Sequence, residues 1–524
     1  MRTLAVSLAL CVLAAAQGLD PAKLLQPPTD TWPTYNGDYS GRRYSPLSQI
    51  NAANVKNLRL AWMYRLNPGP EGISGNGQIK STPLEINGVL YFTIPDHAWA
   101  LDARTGREIW HHYWKSKGGI HIGNRGVGVY GNWLFLETPD CHLVSLNLKD
   151  GKERWHTEIC DLDQEYYASV APIVVGNHVL VGVSGDDLDI PGYIESRNPE
   201  TGSLQWHFST EPKPGEAGSE TWPSADAMIH GGGMTWVPST YDPQLNLIYF
   251  GTGNPQPVLA GKGREGDNLY TESIVALHPD TGKLAWYYQP SPHDTHDWDA
   301  VQTPVLFDGV WNGKPRKLLA QASRNGFFFL LDRTNREHLL TTPFIKTNWS
   351  SGLDSKGRPM RIKAKDPQPD GALVSPASGG ASNWPPPSFD PETGLLYVSA
   401  SRSYSVFYLT DLEDKPEGWG GLDRSVYSEG YLQAIDYKNG KVAWSHPWGQ
   451  GSSGLSGWLS TAGKLLFGGD PSGNLIALDP RNGKPLWHTR LNMNISNGPM
   501  TYELDGVQYV VFGAGDTLLA FTLP

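Results

Sequence analysis

Residues 100–110 read Ala100-Leu101-Asp102-Ala103-Arg104-Thr105-Gly106-Arg107-Glu108-Ile109-Trp110, and residues 477–487 return as Ala477-Leu478-Asp479-Pro480-Arg481-Asn482-Gly483-Lys484-Pro485-Leu486-Trp487. The same frame recurs at Ser145–Trp155, Ser196–Trp206, Ala276–Trp286 and Ala434–Trp444, and in all six a glycine stands four residues before the tryptophan. Each copy reads as a hairpin: a strand, a turn in which glycine supplies positive φ, and a second strand. The tryptophan is placed to pack on the neighbouring unit. Two weaker copies complete the set. Leu58–Trp62 has the strand and the tryptophan without the turn, and Leu330–His338 keeps the turn with His338 at the tryptophan position.

Positions 62, 110, 155, 206, 286, 338, 444 and 487 mark eight units, most of them 43 to 52 residues apart. That spacing predicts an all-β, eight-bladed β-propeller with four-stranded blades; a seven-bladed ring with one degenerate unit is the alternative. The long gaps at 206–286 and 338–444 hold insertions. Glu211–Gly233 and Thr341–Ser388 read as functional loops over one face.

Composition agrees. With 59 Gly, 41 Pro and 20 Trp among 524 residues, the chain suits short strands and tight turns. A net charge of −11 without a basic run argues against nucleic acid as a partner. Residues 1–18 read as a secretory signal peptide, with Arg2, the apolar Leu4–Ala16 and cleavage near Ala16. The expected mature chain is a single domain over 19–524, periplasmic or secreted, with no membrane span. It retains Cys141 and Cys160, whose pairing the sequence leaves open.

A propeller scaffold does not define a function, so the polar clusters at strand ends carry the reading. In Pro292-His293-Asp294-Thr295-His296-Asp297-Trp298-Asp299, Asp297 and Asp299 are two apart and face one side if the segment is extended. Carboxylates on one face repel unless a cation or protons lie between them. Gly251-Thr252-Gly253-Asn254-Pro255 offers an amide oxygen or is an Asn-Pro turn, and Asp186-Asp187-Leu188-Asp189 offers acids or is a solvated loop. Gly231-Gly232-Gly233-Met234-Thr235-Trp236 provides close backbone approach and an indole platform, or a core tryptophan. Arg125 and Arg324 present planar forks suited to carboxylates, or form ion pairs.

Together these segments resemble the pyrroloquinoline-quinone-dependent alcohol dehydrogenases, the methanol and ethanol dehydrogenase group, from about Trp32 to the C-terminus. Most specific are residues 231–236, Tyr241-Asp242-Pro243, Gly251–Pro255, Gly266-Asp267-Asn268 and Pro292-His293-Asp294. The resemblance implies pyrroloquinoline quinone lying on Trp236, a metal held by Asp187, Asn254 and Asp297, and Asp297 as catalytic base. It implies cofactor contacts at Arg125, Arg324, Ser169, Ser184, Thr235 and Lys80, with Arg324 also stabilising the developing oxyanion. Asp299 marks the lanthanide-dependent members, calcium being the alternative, and a trivalent ion offsets more carboxylate repulsion.

This sequence departs from the family in four places. Gly119 and Ile120 stand where adjacent cysteines form a ring over the quinone, Lys80 stands for a Glu, Asp187 for a longer Glu, and Leu455 for a Trp. The implied reaction is oxidation of a small alcohol, with electrons passed to an external acceptor such as a c-type cytochrome, because no Cys-x-x-Cys-His occurs. A sugar or polyol dehydrogenase and a non-catalytic propeller scaffold are the competing readings. Which alcohol is used, and whether the chain forms a homodimer, stay open.

Overall fold

The computed structural model describes residues 18–75, 77–185, 189–413, 416–452, 456–491 and 493–524. Residues 1–17 of the proposed signal peptide, Asp187 and Leu455 therefore lie outside the described residues. Among the described residues the strands form eight sheets of four or five strands and one two-stranded hairpin. Within a sheet the chain meanders, as in Leu84–Ile86, Val89–Ile94, His97–Asp102 and Glu108–Tyr113, each antiparallel to the next.

The repeat turns out to be a packing device. The turn glycines Gly106, Gly151, Gly202, Gly282, Gly440 and Gly483 all have φ between 66° and 72°. Five of them lie flat against the tryptophan of the preceding sheet: a Cβ on Gly106, Gly151, Gly202, Gly282 or Gly483 would sit 2.5–2.8 Å from Trp62, Trp110, Trp155, Trp206 or Trp444. Trp62, Trp110, Trp206, Trp286 and Trp444 each donate Nε1–H to a backbone carbonyl of the next turn, at 2.6–3.1 Å. An indole that buries ~150–250 Å² contributes about 4–6 kcal/mol at ~25 cal/mol per Å², before entropy, against ~1 kcal/mol for its hydrogen bond. Packing is what holds neighbouring sheets together. Gly483→Ala is accordingly expected to lower the melting temperature by several degrees, through both the positive φ and the clash with Trp444. An unchanged thermal melt would show the contact to be slack.

The two weak copies have structural explanations. Trp62 lacks its turn because its strand, Arg59–Arg65, pairs with the C-terminal strand Thr517–Thr522, and Ala520 stands opposite Trp62. First and last segments thus share one sheet. In the sixth unit the register corrects the tryptophan position. Leu330 pairs with Leu340, as Ala100 pairs with Trp110, and His338 pairs with Leu331. Leu340 fills the slot, since a Cβ on Gly440 would meet it at 2.8 Å, and Arg336 takes the turn glycine's place at φ 62°.

Of the insertions, 211–233 carries the short helix Ala225–Ile229, and 341–388 carries the hairpin Ser350–Leu353 with Pro359–Arg361. Cys141 and Cys160 form a disulfide. No helix among the described residues is long and apolar enough to cross a membrane.

Candidate active site

Strand connectivity explains why the polar residues converge. In a meander, the entry to the first strand and the link between the second and third lie at the same sheet end. Lys80, Arg125, Ser169, Trp236, Asp297 and Asp299 precede first strands, while Ser184, Asn254 and Arg324 follow second strands. Eight of these nine line one cavity of about 550 Å³: Lys80, Arg125, Ser169, Ser184, Trp236, Asp297, Asp299 and Arg324. The ninth, Asn254, sits just behind it, its backbone N–H donating to Asp299 Oδ1 at 2.7 Å.

Arg324 organises the acidic side. Its Nη1 donates to Asp299 Oδ2 at 2.6 Å, its Nη2 to Asp297 Oδ2 at 2.8 Å, and Nη2 also to the Ser378 carbonyl at 2.7 Å. The guanidinium is buried, as is Asp299 at 1% exposure. Burial pushes the Asp299 carboxyl up from its ordinary range, opposed by the charge of Arg324 and by N–H groups of Asn254 and Trp236. Behind this group Glu272 is wholly buried, and burial with the neighbouring carboxylates pushes it well up.

Trp236 is tied to the same cluster. Its Nε1–H donates to Asp299 Oδ2 at 2.9 Å, which fixes the indole plane at the cavity wall. The Arg125 guanidinium lies over that ring, 4.6 Å from its centroid, and donates to Ser169 Oγ at 2.6 Å. Ser169 and Ser184 hydroxyls are 3.5 Å apart, on segments joined by paired backbone hydrogen bonds between Tyr167 and Ser184.

Some expectations need correcting. Asp297 and Asp299 share a side, but not as an extended strand: Asp297 has φ 66° in an irregular segment, and it is Arg324 that gathers both. The Gly231–Gly233 run makes room for backbone. A Cβ on Gly232 would lie 2.3 Å from the Asn254 carbonyl, and one on Gly233 2.6 Å from Glu211 and Thr210. Thr235 turns its hydroxyl to the Tyr193 carbonyl at 2.5 Å and to the Val183 N–H at 3.2 Å, away from the cavity. Further wall residues come from the insertions and the long hairpin Leu395–Leu409 with Gly421–Asp436: Gly379, Gly380, Asn383, Trp384, Ser401 and Trp419. Gly379, Gly380, Asn383 and Trp384 fall in the segment 341–388 read as a loop over one face; Ser401 and Trp419 carried no such signal.

The donor set suits a hard cation and a flat anion. Asn254 Oδ1 is buried with no hydrogen-bond partner among the described residues, beside two carboxylates. Opposite stand an indole face and two cationic side chains, Arg125 and Lys80.

The match to known proteins is extensive. Residues 32–343 and 422–510 fit the family model described as "Glucose/ethanol/alcohol dehydrogenase, beta-propeller domain". Quinoprotein alcohol dehydrogenase PedH of Pseudomonas putida is 36% identical over 91% of this chain and 84% of its own length. The 1-butanol dehydrogenase (cytochrome c) of Thauera butanivorans is 33% identical over 92% and 74%. Among solved structures, a quinohemoprotein alcohol dehydrogenase from Pseudomonas putida aligns with a TM-score of 0.91 at 32% identity, covering 97% of this chain and 83% of that one. A europium-containing methanol dehydrogenase aligns with a TM-score of 0.85 at 28% identity, covering 96% and 99%. The chain belongs to the pyrroloquinoline-quinone-dependent alcohol dehydrogenase family.

Proposed function

We propose that this protein oxidises a primary or related alcohol to the aldehyde, with pyrroloquinoline quinone and one metal ion held in the cavity over Trp236. The observation that carries the reading is the meeting of three things: a fixed indole face and an acid pair clasped by Arg324 in one cavity, and the buried, unpartnered Asn254 Oδ1 just behind its acid end. When bound, the quinone supplies the electron-accepting carbon and the metal the Lewis acidity.

The chain supplies the rest. Asn254, Asp297 and Asp299 would hold the ion, joined by Asp187, which lies outside the described residues. Trp236 orients the flat ring, and Arg125, Ser169, Ser184 and Lys80 meet its carboxylates. The Asp297 carboxylate, which accepts from Arg324 Nη2 at 2.8 Å, takes the proton of the alcohol hydroxyl. Arg324, 5% exposed at the acid end, is also the donor for oxyanion charge that develops there.

The eight sheets are read as the eight blades of one ring over residues 19–524, with residues 1–18 a signal peptide removed on the way to the periplasm. An external c-type cytochrome fits as electron acceptor, in keeping with the name of the Thauera relative.

The test is reconstitution of purified protein with the quinone and either calcium or a light lanthanide, followed by alcohol-dependent dye reduction. Silence with every metal across a broad alcohol panel ends this reading. Asp299 is proposed to favour the trivalent ion. Asp299→Ala should therefore weaken lanthanide-supported activity by more than about tenfold, the scale that even outer-shell changes reach, and calcium-supported activity far less. Equal losses would remove Asp299 from metal choice.

A further inference from the structure

The two ends of the cavity differ in charge balance. At the acid end, Arg324 meets two carboxylates. At the other end stand two cations that no carboxylate reaches among the described residues. Lys80 Nζ donates to the Ile122 carbonyl at 2.6 Å. Arg125 donates to Ser169 Oγ and, at 3.4 Å, to the Ser169 carbonyl, and its Nε is buried without a hydrogen-bond partner. The guanidinium is held between aromatic faces, 4.6 Å from the Trp236 centroid and 5.6 Å from that of Trp384.

The nearby acid does not cancel them. Glu137 is fully buried and faces the backbone N–H groups of Val170 and Gly182, at 2.8 and 3.2 Å. Burial pushes its carboxyl up to about 8, and its oxygens accept from those N–H groups and from neither Lys80 nor Arg125. Burial and the charge of Arg125 in turn pull the Lys80 ammonium down, as expected where two cations share a partly dry wall. Gly123 supports the lysine stem: a Cβ there would lie 2.6 Å from Lys80 Cδ.

Among the described residues, a buried guanidinium and a half-buried ammonium share this wall without a carboxylate partner, an arrangement that an anion would stabilise. We propose that Lys80 and Arg125 form a two-cation seat that captures the carboxylates of a flat aromatic polyacid, and that this seat holds the cofactor before any metal is bound. The inference rests on the cofactor reading above and deepens it, by assigning the order of assembly. Carboxylates docked at the Lys80 end exchange the Arg125–indole contact for charge-assisted hydrogen bonds, leaving the ring free to lie on Trp236. The metal then closes the opposite end.

Equilibrium dialysis of chelator-treated, metal-free protein against pyrroloquinoline quinone tests it. The expected result is saturable one-site binding that weakens as salt rises. Benzene-1,3,5-tricarboxylate, which has no redox chemistry, should compete. Lys80→Glu should raise the metal-free Kd by more than about tenfold and flatten its salt dependence, because one cation of the pair becomes an anion. Lys80→Met, close in length and neutral, should fall between, and its thermal melt separates a charge effect from a folding defect. Binding by Lys80→Glu within twofold of the parent overturns the seat. So does a metal-free parent that fails to bind while the metal-loaded protein binds. If neither form of the parent binds the quinone, the cofactor reading itself falls, and that outcome is distinct from the other two.

Discussion

Asp297→Asn is expected to lower alcohol-dependent kcat by about 10³-fold, within the range that a positioned base contributes. The substitution is nearly isosteric. The amide oxygen still accepts from Arg324 Nη2, which the carboxylate does at 2.8 Å, and still offers an oxygen to an ion. What it cannot do is take the hydroxyl proton. Steady-state dye reduction, with metal content measured on the same sample, separates loss of the base from loss of the ion. A variant that keeps its metal and a kcat within threefold of the parent would show that the proton goes elsewhere.

The second large effect is on stability. Replacing Arg324 by Met leaves Asp297 and Asp299 facing one another without their shared cation, in a site where Asp299 is 1% exposed. Removing one partner of a buried ion pair costs about 3–5 kcal/mol. The metal-free variant should melt several degrees below the parent. Because an ion bound between the same carboxylates restores positive charge, adding a lanthanide should recover more of the melting temperature in Arg324→Met than it adds to the parent. A metal-free variant as stable as the parent would mean that the carboxylates are already neutral, and the argument from the arginine clasp would fail.

The fold was legible because its main contact is written locally. A tryptophan and the glycine four residues before it encode, respectively, the pad and the seat of successive sheet contacts, and the spacing repeats. Legibility declined where the partner was distant. Trp62 looked incomplete because its hairpin mate is Thr517–Thr522, more than 450 residues away in the chain. Leu340 stands ten residues after Leu330, as Trp110 does after Ala100, with the same bulge; it was overlooked for His338 because this copy has lost both marks of the frame, with Leu340 in place of the tryptophan and Arg336 in place of the turn glycine.

At the site, residues that flank strands were readable, since the strand fixes which end they occupy. Asp297 and Asp299 were found through a spacing rule for extended chain that their actual backbone does not obey; the shared guanidinium does what the strand was expected to do. Trp384 and Trp419 were not found at all. They reach the cavity from loops, where no period connects position in sequence with position in space. Thr235 was named with Trp236 on the resemblance, and its hydroxyl bonds the Tyr193 carbonyl and the Val183 N–H.

The seam between Arg59–Arg65 and Thr517–Thr522 has a consequence for how the molecule is made. The strand that emerges early from the ribosome has no mate until residues 517–522 are made, and a second early strand, Tyr44–Ser45, pairs in parallel with Leu459–Thr461. The sheet that holds Arg59–Arg65 is therefore completed only once residues 517–522 have been made. A nascent chain stalled before residue 517 would carry an open, hydrogen-bond-hungry margin. Trimming the final strand should consequently act less like shortening a tail than like removing a clasp.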